Sequence, residues 1–295
     1  MDFRRMRRQN AAFAYPRRRG GSMNGDVRGL YLDLLKKALS FSLWEDIGHP
    51  IELNNHLRRQ PFRMAAAVLS RGLRVAGLQA YRIVDRSRRE EGQVWPRYAD
   101  TMIGMKRLDN LQHCLERVIS DGVPGDLIET GVWRGGATIF MKGCLRAHGD
   151  ATRRVFVADS FQGLPPPDAD KYPDDAGDRH HTLEHLAVSE EQVRANFERY
   201  GLLDERVVFL KGWFKDTLPT APIEQLALMR LDGDMYESTI DALDALYGKL
   251  SPGGFCLIDD YALAGCKKAV DDFRATHGIS APIEKVDWSG VYWRK

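Results

Sequence analysis

The chain has 295 residues, 43% apolar and 28% charged, the balance of a folded globular protein rather than of a disordered segment. Its net charge of +2 argues against a global attraction to nucleic acid. No apolar run reaches the 18 residues expected of a membrane-spanning helix.

Residues 1–20 carry seven arginines and one acid. Residues 1–25 also hold Gly-Gly and Pro without apolar periodicity, so a disordered basic tail is expected, and no apolar core follows to make it a secretory signal. Asp26–Asp46 reads as an amphipathic helix with Leu30, Leu34, Leu35 and Leu39 at helical spacing, a stripe for the core or a dimer contact. Gly48-His49-Pro50 ends it. Residues 51–93 are compatible with basic amphipathic helix, a solvated face or subunit contact rather than a membrane-surface element. The division expected is a tail (1–25), a helical extension or lid (26–100) and a catalytic domain (101–295).

Thr101–Ser120 is the next expected helix, with Met105, Leu108, Leu111, Leu115 and Val118 on one side. From Asp126 strands and helices alternate. DLIETG, RVFVADSF and RVVFLKGWF read as strands, and SEEQVRANFERYG as a helix capped by Ser189 with Gly201 beyond its end. Two further apolar runs follow, then the helix GCKKAVDDFRATHG and a terminal strand pair around Ser289-Gly290. This alternation implies βαβ units in a doubly wound, mostly parallel α/β sheet. Cys114, Cys144, Cys256 and Cys266 have no zinc or CxxC spacing and read as buried free thiols, which points to a cytoplasmic setting.

The stretch Leu226–Tyr261 carries the chemistry. One apolar run ends in Asp232, with Asp234 two residues on, and the next ends in Asp259-Asp260. As neighbouring parallel strands they would bring these carboxylates to one rim of the sheet, where open α/β sheets bind ligands. Oxygen-only ligation suits a hard cation such as Mg²⁺; polar strand ends and helix caps are the bland alternative. The first βα turn, Glu129-Thr130-Gly131-Val132-Trp133-Arg134-Gly135-Gly136, lacks the dinucleotide glycine spacing. With Asp159 ending the second strand, placed to accept from ribose hydroxyls, it favours a nucleoside-type cofactor. His180, His181 and His185 lie in a long loop; His181 and His185 have the i, i+4 spacing of a helical metal pair but no HExxH. Plain surface and contact with a bound ligand are the other readings, and Tyr236 and Glu237 stay open between ligand contact and a helix start.

The segments YLDLLKKALSFSLWED, RYADTMIGMKRLDNLQHCLERVISDGVPGDLIETGVWRGGATIFMKG, VADSFQGLPPPD, LRLDGDMYEST, LSPGGFCLIDDY and GCKKAVDDFR together resemble the macrocin O-methyltransferase (TylF-type) family. The resemblance implies a class I S-adenosylmethionine-dependent methyltransferase with a seven-stranded Rossmann-like sheet. It also implies Mg²⁺ and a natural-product sugar or polyol hydroxyl as acceptor. Carried over, Glu129, Thr130, Gly131 and Trp133 resemble the turn around the cofactor's methionine part, and Thr101, Met102 and Ile103 the segment holding its carboxylate. Asp159, Ser160 and Gln162 resemble the ribose and adenine contacts, and Gly212-Trp213 an adenine edge. Asp232, Asp259 and Asp260 fall on the metal ligands, and Asp234 on the general base. A homo-oligomer, dimer or higher, is expected. The alternatives are a catechol-type or saccharide methyltransferase with the same metal site, or a nucleotide- or nucleic-acid-binding protein using the basic tail.

Overall fold

A computed structural model describes residues 26–44, 49–50, 68–69, 71–78, 81–82, 86–94 and 98–295. The expected basic tail and most of residues 51–93 lie outside the described residues. Seven strands form one sheet: β1 (Asp126–Thr130), β2 (Val155–Asp159), β3 (Val207–Lys211), β4 (Leu226–Leu231), β5 (Leu250–Ile258), β6 (Glu284–Lys285) and β7 (Val291–Arg294). Their order is β3-β2-β1-β4-β5-β7-β6. The first five run parallel and β7 pairs antiparallel with both β5 and β6. The alternation read from the sequence and the terminal strand pair are therefore both present.

Period-two alternation sorts the strand residues between two cores. Leu127, Val155, Val157, Leu228 and Phe255 face one side. Ile128, Phe156, Met229, Cys256 and Trp293 face the other. Both faces are covered, so β4 is buried along its whole length, as a parallel strand between two helix layers must be. On the first face lie α1 (Val27–Leu39), α2 (Met105–Ser120), α3 (Gly136–Ala147) and α4 (Glu190–Arg199). On the second lie α5 (Tyr236–Leu246) and α6 (Ala264–Thr276). Ser189 caps α4 by accepting from the Gln192 N–H at 3.2 Å. All four cysteines are free and buried.

Three expectations at the N-terminal side need correction. Helix α1 ends at Leu39 rather than reaching Asp46, because Phe41 turns left-handed with φ 56°. Its N–H and that of Ser42 then close on the Ala38 and Lys37 carbonyls, a Schellman cap formed without glycine. The buried face of α1 is Leu32, Leu35 and Leu39, whereas Leu30 and Leu34 are exposed. Both sets have helical spacing, so periodicity could not choose between them. The contact surface chose: Leu35 Cδ2 lies 2.4 Å from where a Cβ on Gly143 of α3 would sit. Finally, Thr101–Gly104 precedes α2 instead of starting it. The Asp100 and Thr101 N–H groups bond to the Leu39 carbonyl, making this segment a strap between α1 and the sheet.

The strand order reverses between β1 and β4, and there the carboxyl ends open into the site. Backbone bonds carry the ladder one residue past the strands, from Asp232 N–H to the Thr130 carbonyl (2.9 Å) and from Asp259 N–H to the Leu231 carbonyl (2.9 Å). Gly131, Asp232 and Asp259 thus stand abreast. Gly131 has φ +83°, and a Cβ there would lie 1.8 Å from the Asp232 carbonyl oxygen. Gly131→Ala is expected to lose about 2–5 kcal/mol, combining left-handed strain with overpacking. Urea unfolding of the two proteins measures it.

Candidate active site

A cavity of about 450 Å³ crosses the carboxyl ends of the strands, within the usual range for small-ligand sites. Toward β2 and β3 it is lined by Gly131, Trp133, Asp159, Ser160, Gly212 and Trp213. Toward β5 and the β6–β7 turn it is lined by Asp259, Asp260, Leu263, Trp288 and Ser289. Asp232 and Asp234 lie between, and Thr101, Met102 and Ile103 reach it from the strap. Of the residues expected here, Thr130 and Gln162 do not line the cavity. Thr130 is the last residue of β1, fully buried, and Gln162 turns out to solvent.

The turn after β1 is built by left-handed residues, Gly131, Trp133 (φ 49°) and Gly135. Asp159 fastens it. One carboxylate oxygen accepts the Val132 N–H at 2.8 Å and the other the Phe161 N–H at 2.7 Å. It thereby ties together the two loops that border this half of the cavity, although burial raises its pKa. Ser160 is folded into a local turn, donating to the Gly163 carbonyl and accepting from the Gln162 N–H. The Trp133 indole donates to the His185 carbonyl at 2.8 Å.

Asp232, Asp259 and Asp260 each present a carboxylate oxygen within 4.8 Å of the others. Among the described residues this is the cluster with the spacing of a metal site. Sequence reading missed the two arginines behind it. Arg230, in β4, contacts Glu129 and Asp259 and donates to Asp232 at 2.9 Å. Arg107, from α2, contacts Asp259 and donates to Asp287 at 2.8 Å. A signal existed: an arginine inside the apolar run LALMRL is costly to bury unless paired.

Asp260 instead hydrogen-bonds Asp232. Burial, and then the charges of Asp234 and Asp232, raise its pKa well above the usual carboxylate value. Burial and the neighbouring Asp259 charge also raise Asp232. Adjacent buried carboxylates resist ionising together, and a proton or a cation between them relieves that repulsion. Glu129 is raised to about 8, chiefly by burial, and its second oxygen is buried without a hydrogen-bond partner. Asp234 has left-handed backbone (φ 59°) and its N–H donates to Asp260 at 3.1 Å. Burial first, then the Asp232 charge, raises its pKa to about 7.

The loop after β2 closes over these groups. Asp175 is buried. It accepts from the Tyr236 and Glu237 N–H groups at 2.6 and 2.9 Å, capping α5 from outside the helix. His180 lines the cavity, its Nδ1 2.7 Å from Asp178. His181 and His185 sit in two separate 3₁₀ turns, so the helical metal-pair reading fails: they do not share one helix face. Tyr236 bonds to Asp272 and does not line the cavity, whereas Glu237 does.

The fold and this site define a class I methyltransferase. The family model described as macrocin-O-methyltransferase (TylF) matches residues 28–295, and the chain belongs to that family. It is 53% identical over 275 residues to the 8-demethyl-8-(2,3-dimethoxy-alpha-L-rhamnosyl)-tetracenomycin-C 4'-O-methyltransferase of Streptomyces olivaceus, covering 92% of this chain and 95% of that protein. It is 48% identical to the mycinamicin III 3''-O-methyltransferase of Micromonospora griseorubida, over 90% of this chain and 96% of that one. The solved structure of the O-methyltransferase NovP superposes with a TM-score of 0.78 at 47% identity, covering 91% of this chain and 99% of that chain.

Burial and mutual repulsion raise the pKa of Asp232 and Asp260, and a cation binds the ionised forms, so a cation bound here would displace protons. If the cluster takes a divalent cation, calorimetric titrations with one in buffers of differing ionisation enthalpy should show net proton release, and affinity should rise with pH by roughly tenfold per pH unit for each proton released. Without cation, the same raised pKa values mean that stability falls as pH rises through about 7.

Proposed function

We propose that this protein transfers a methyl group from S-adenosylmethionine to a sugar hydroxyl of a glycosylated natural product, with Mg²⁺ held by Asp232, Asp259 and Asp260. The observation that carries this reading is the meeting of these three carboxylates with Asp234 in the middle of one cavity. The residues fit a hard cation: the ligand atoms are all oxygens and they are mutually close. The glycine turn, Asp159 and Gly212-Trp213 fit the adenosyl donor on the other half. The names of the relatives, a 4'-O-methyltransferase of a rhamnosyl tetracenomycin and a mycinamicin III 3''-O-methyltransferase, support the acceptor class.

S-adenosylmethionine supplies a methyl on a sulfonium, a good leaving group, so alignment is the main task left to the protein. When bound, a divalent cation supplies Lewis acidity that lowers the pKa of an acceptor hydroxyl. Asp234 takes the hydroxyl proton at its carboxylate as the oxygen turns toward the methyl. Its left-handed backbone and the bond to Asp260 hold that carboxylate beside the cluster. A pKa near 7 makes it a better base than an ordinary aspartate. Asp159 and the strap at Thr101–Ile103 fix the donor side, and the loop bearing Asp175 and His180 excludes water.

Methyl transfer from labelled S-adenosylmethionine to the dimethoxyrhamnosyl tetracenomycin acceptor is expected with Mg²⁺ and is expected to vanish with EDTA. Persistence in EDTA would refute the metal role. Asp234→Asn should lower kcat by about 10²–10⁴ while donor affinity, followed by calorimetry, stays within a few-fold. Asp260→Asn should lose Mg²⁺ binding and turnover together.

A further inference from the structure

We propose that Trp288 is the platform on which the acceptor's sugar ring lies, its apolar face against the indole and its hydroxyl edge toward the carboxylates. This rests on the site being a sugar O-methyltransferase site. Trp288 is 47% exposed, and of the exposed large hydrophobic side chains among the described residues it alone lines the cavity. An aromatic left wet at the rim of a ligand site, while the rest of the core is closed, calls for a partner that covers it.

The ring is also held in place. Its indole N–H donates to the Glu91 carbonyl at 2.8 Å, and the Arg107 guanidinium carbon lies over the ring, 5.7 Å from its centroid. The turn that carries it is fixed on both sides. Asp287 accepts from the Ser289 and Gly290 N–H groups and from Arg107. Ser289 donates to the Asp259 carbonyl at 2.7 Å. The platform is therefore indexed to the end of β5, at Asp259, through both Ser289 and Arg107, and little ordering remains to be done on binding.

Position selects the acceptor rather than the donor. Strand order puts the β6–β7 turn beyond β5, on the opposite side of the carboxylates from Asp159, Gly212 and Trp213. A ligand there has one wall of carboxylates and one aromatic wall. A pyranose matches both: its edge offers hydroxyls, and its axial C–H groups form an apolar face suited to an indole.

The test compares wild type, Trp288→Ala and Trp288→Phe on two acceptors. One is the dimethoxyrhamnosyl tetracenomycin; the other is methyl 2,3-di-O-methyl-α-L-rhamnopyranoside, which has no aromatic aglycone. Trp288→Ala should raise acceptor KM by about tenfold or more on both, with donor Kd unchanged. Trp288→Phe should keep KM within about threefold, since it retains an aromatic face. Unaltered KM in a folded Trp288→Ala protein overturns the proposal. So does a loss confined to the tetracenomycin acceptor, which would make the aglycone the stacked group, or a Phe variant as impaired as Ala. Failure of the wild type to methylate either sugar would instead overturn the functional reading itself, which separates the two.

Discussion

Arg230 stands at the centre of the molecule with a guanidinium that touches carboxylates from three strand ends, Glu129, Asp232 and Asp259. Its residue is 2% exposed. Register explains the meeting. Glu129, Arg230 and Leu257 are paired across β1, β4 and β5, and two residues on, the same side of the sheet carries Gly131, Asp232 and Asp259. Alternation therefore stacks a row containing one cation directly beneath a row of acids. Without that cation the acids would have to be neutral, or the strand ends would part.

The arrangement is stable only as a set. Removing one partner of a buried ion pair typically costs about 3–5 kcal/mol because the remaining charge stays buried. Two guanidinium groups, Arg107 and Arg230, converge on Asp259, whereas burial and the neighbouring acids raise the pKa of Asp260 well above the usual carboxylate value. The cluster is thus neutralised by fixed cations on the side of Asp259, and its repulsion is concentrated at Asp232 and Asp260, on the side that faces the cavity.

The legible part of the sequence was the part governed by period. Apolar runs of strand length ended in Asp159, Asp232 and Asp259, and the structure puts those ends at one rim because parallel neighbours must align there. The Ser189 cap and the glycines of the first βα turn were legible because each has a local mechanism. What was missed depends on distant contacts. Nothing local tells that Arg107, on a helix whose stripe was read correctly, reaches Asp259 across 152 positions. Likewise Leu30 and Leu34 fit the helical period as well as Leu32 and Leu35, and only the presence of Gly143 opposite decides. Trp288 carried no signal, since a tryptophan in a hairpin turn near the chain's end reads as ordinary surface until the sheet order brings that turn beside β5.

Division of labour between scaffold and loops follows from these contacts. The carboxylates and Arg230 ride on strands or the first residues beyond them, where ladder bonds fix backbone position. The remaining walls ride on connections: the loop after β2, fastened through Trp133 to the His185 carbonyl and through Asp175 to the start of α5, and the turn bearing Trp288. Loops tolerate change that strands do not. Relatives at 53% and 48% identity are named for different positions, the 4' and the 3''. A carboxylate rim on strands with walls on loops is an arrangement in which the walls can change while the rim keeps its place.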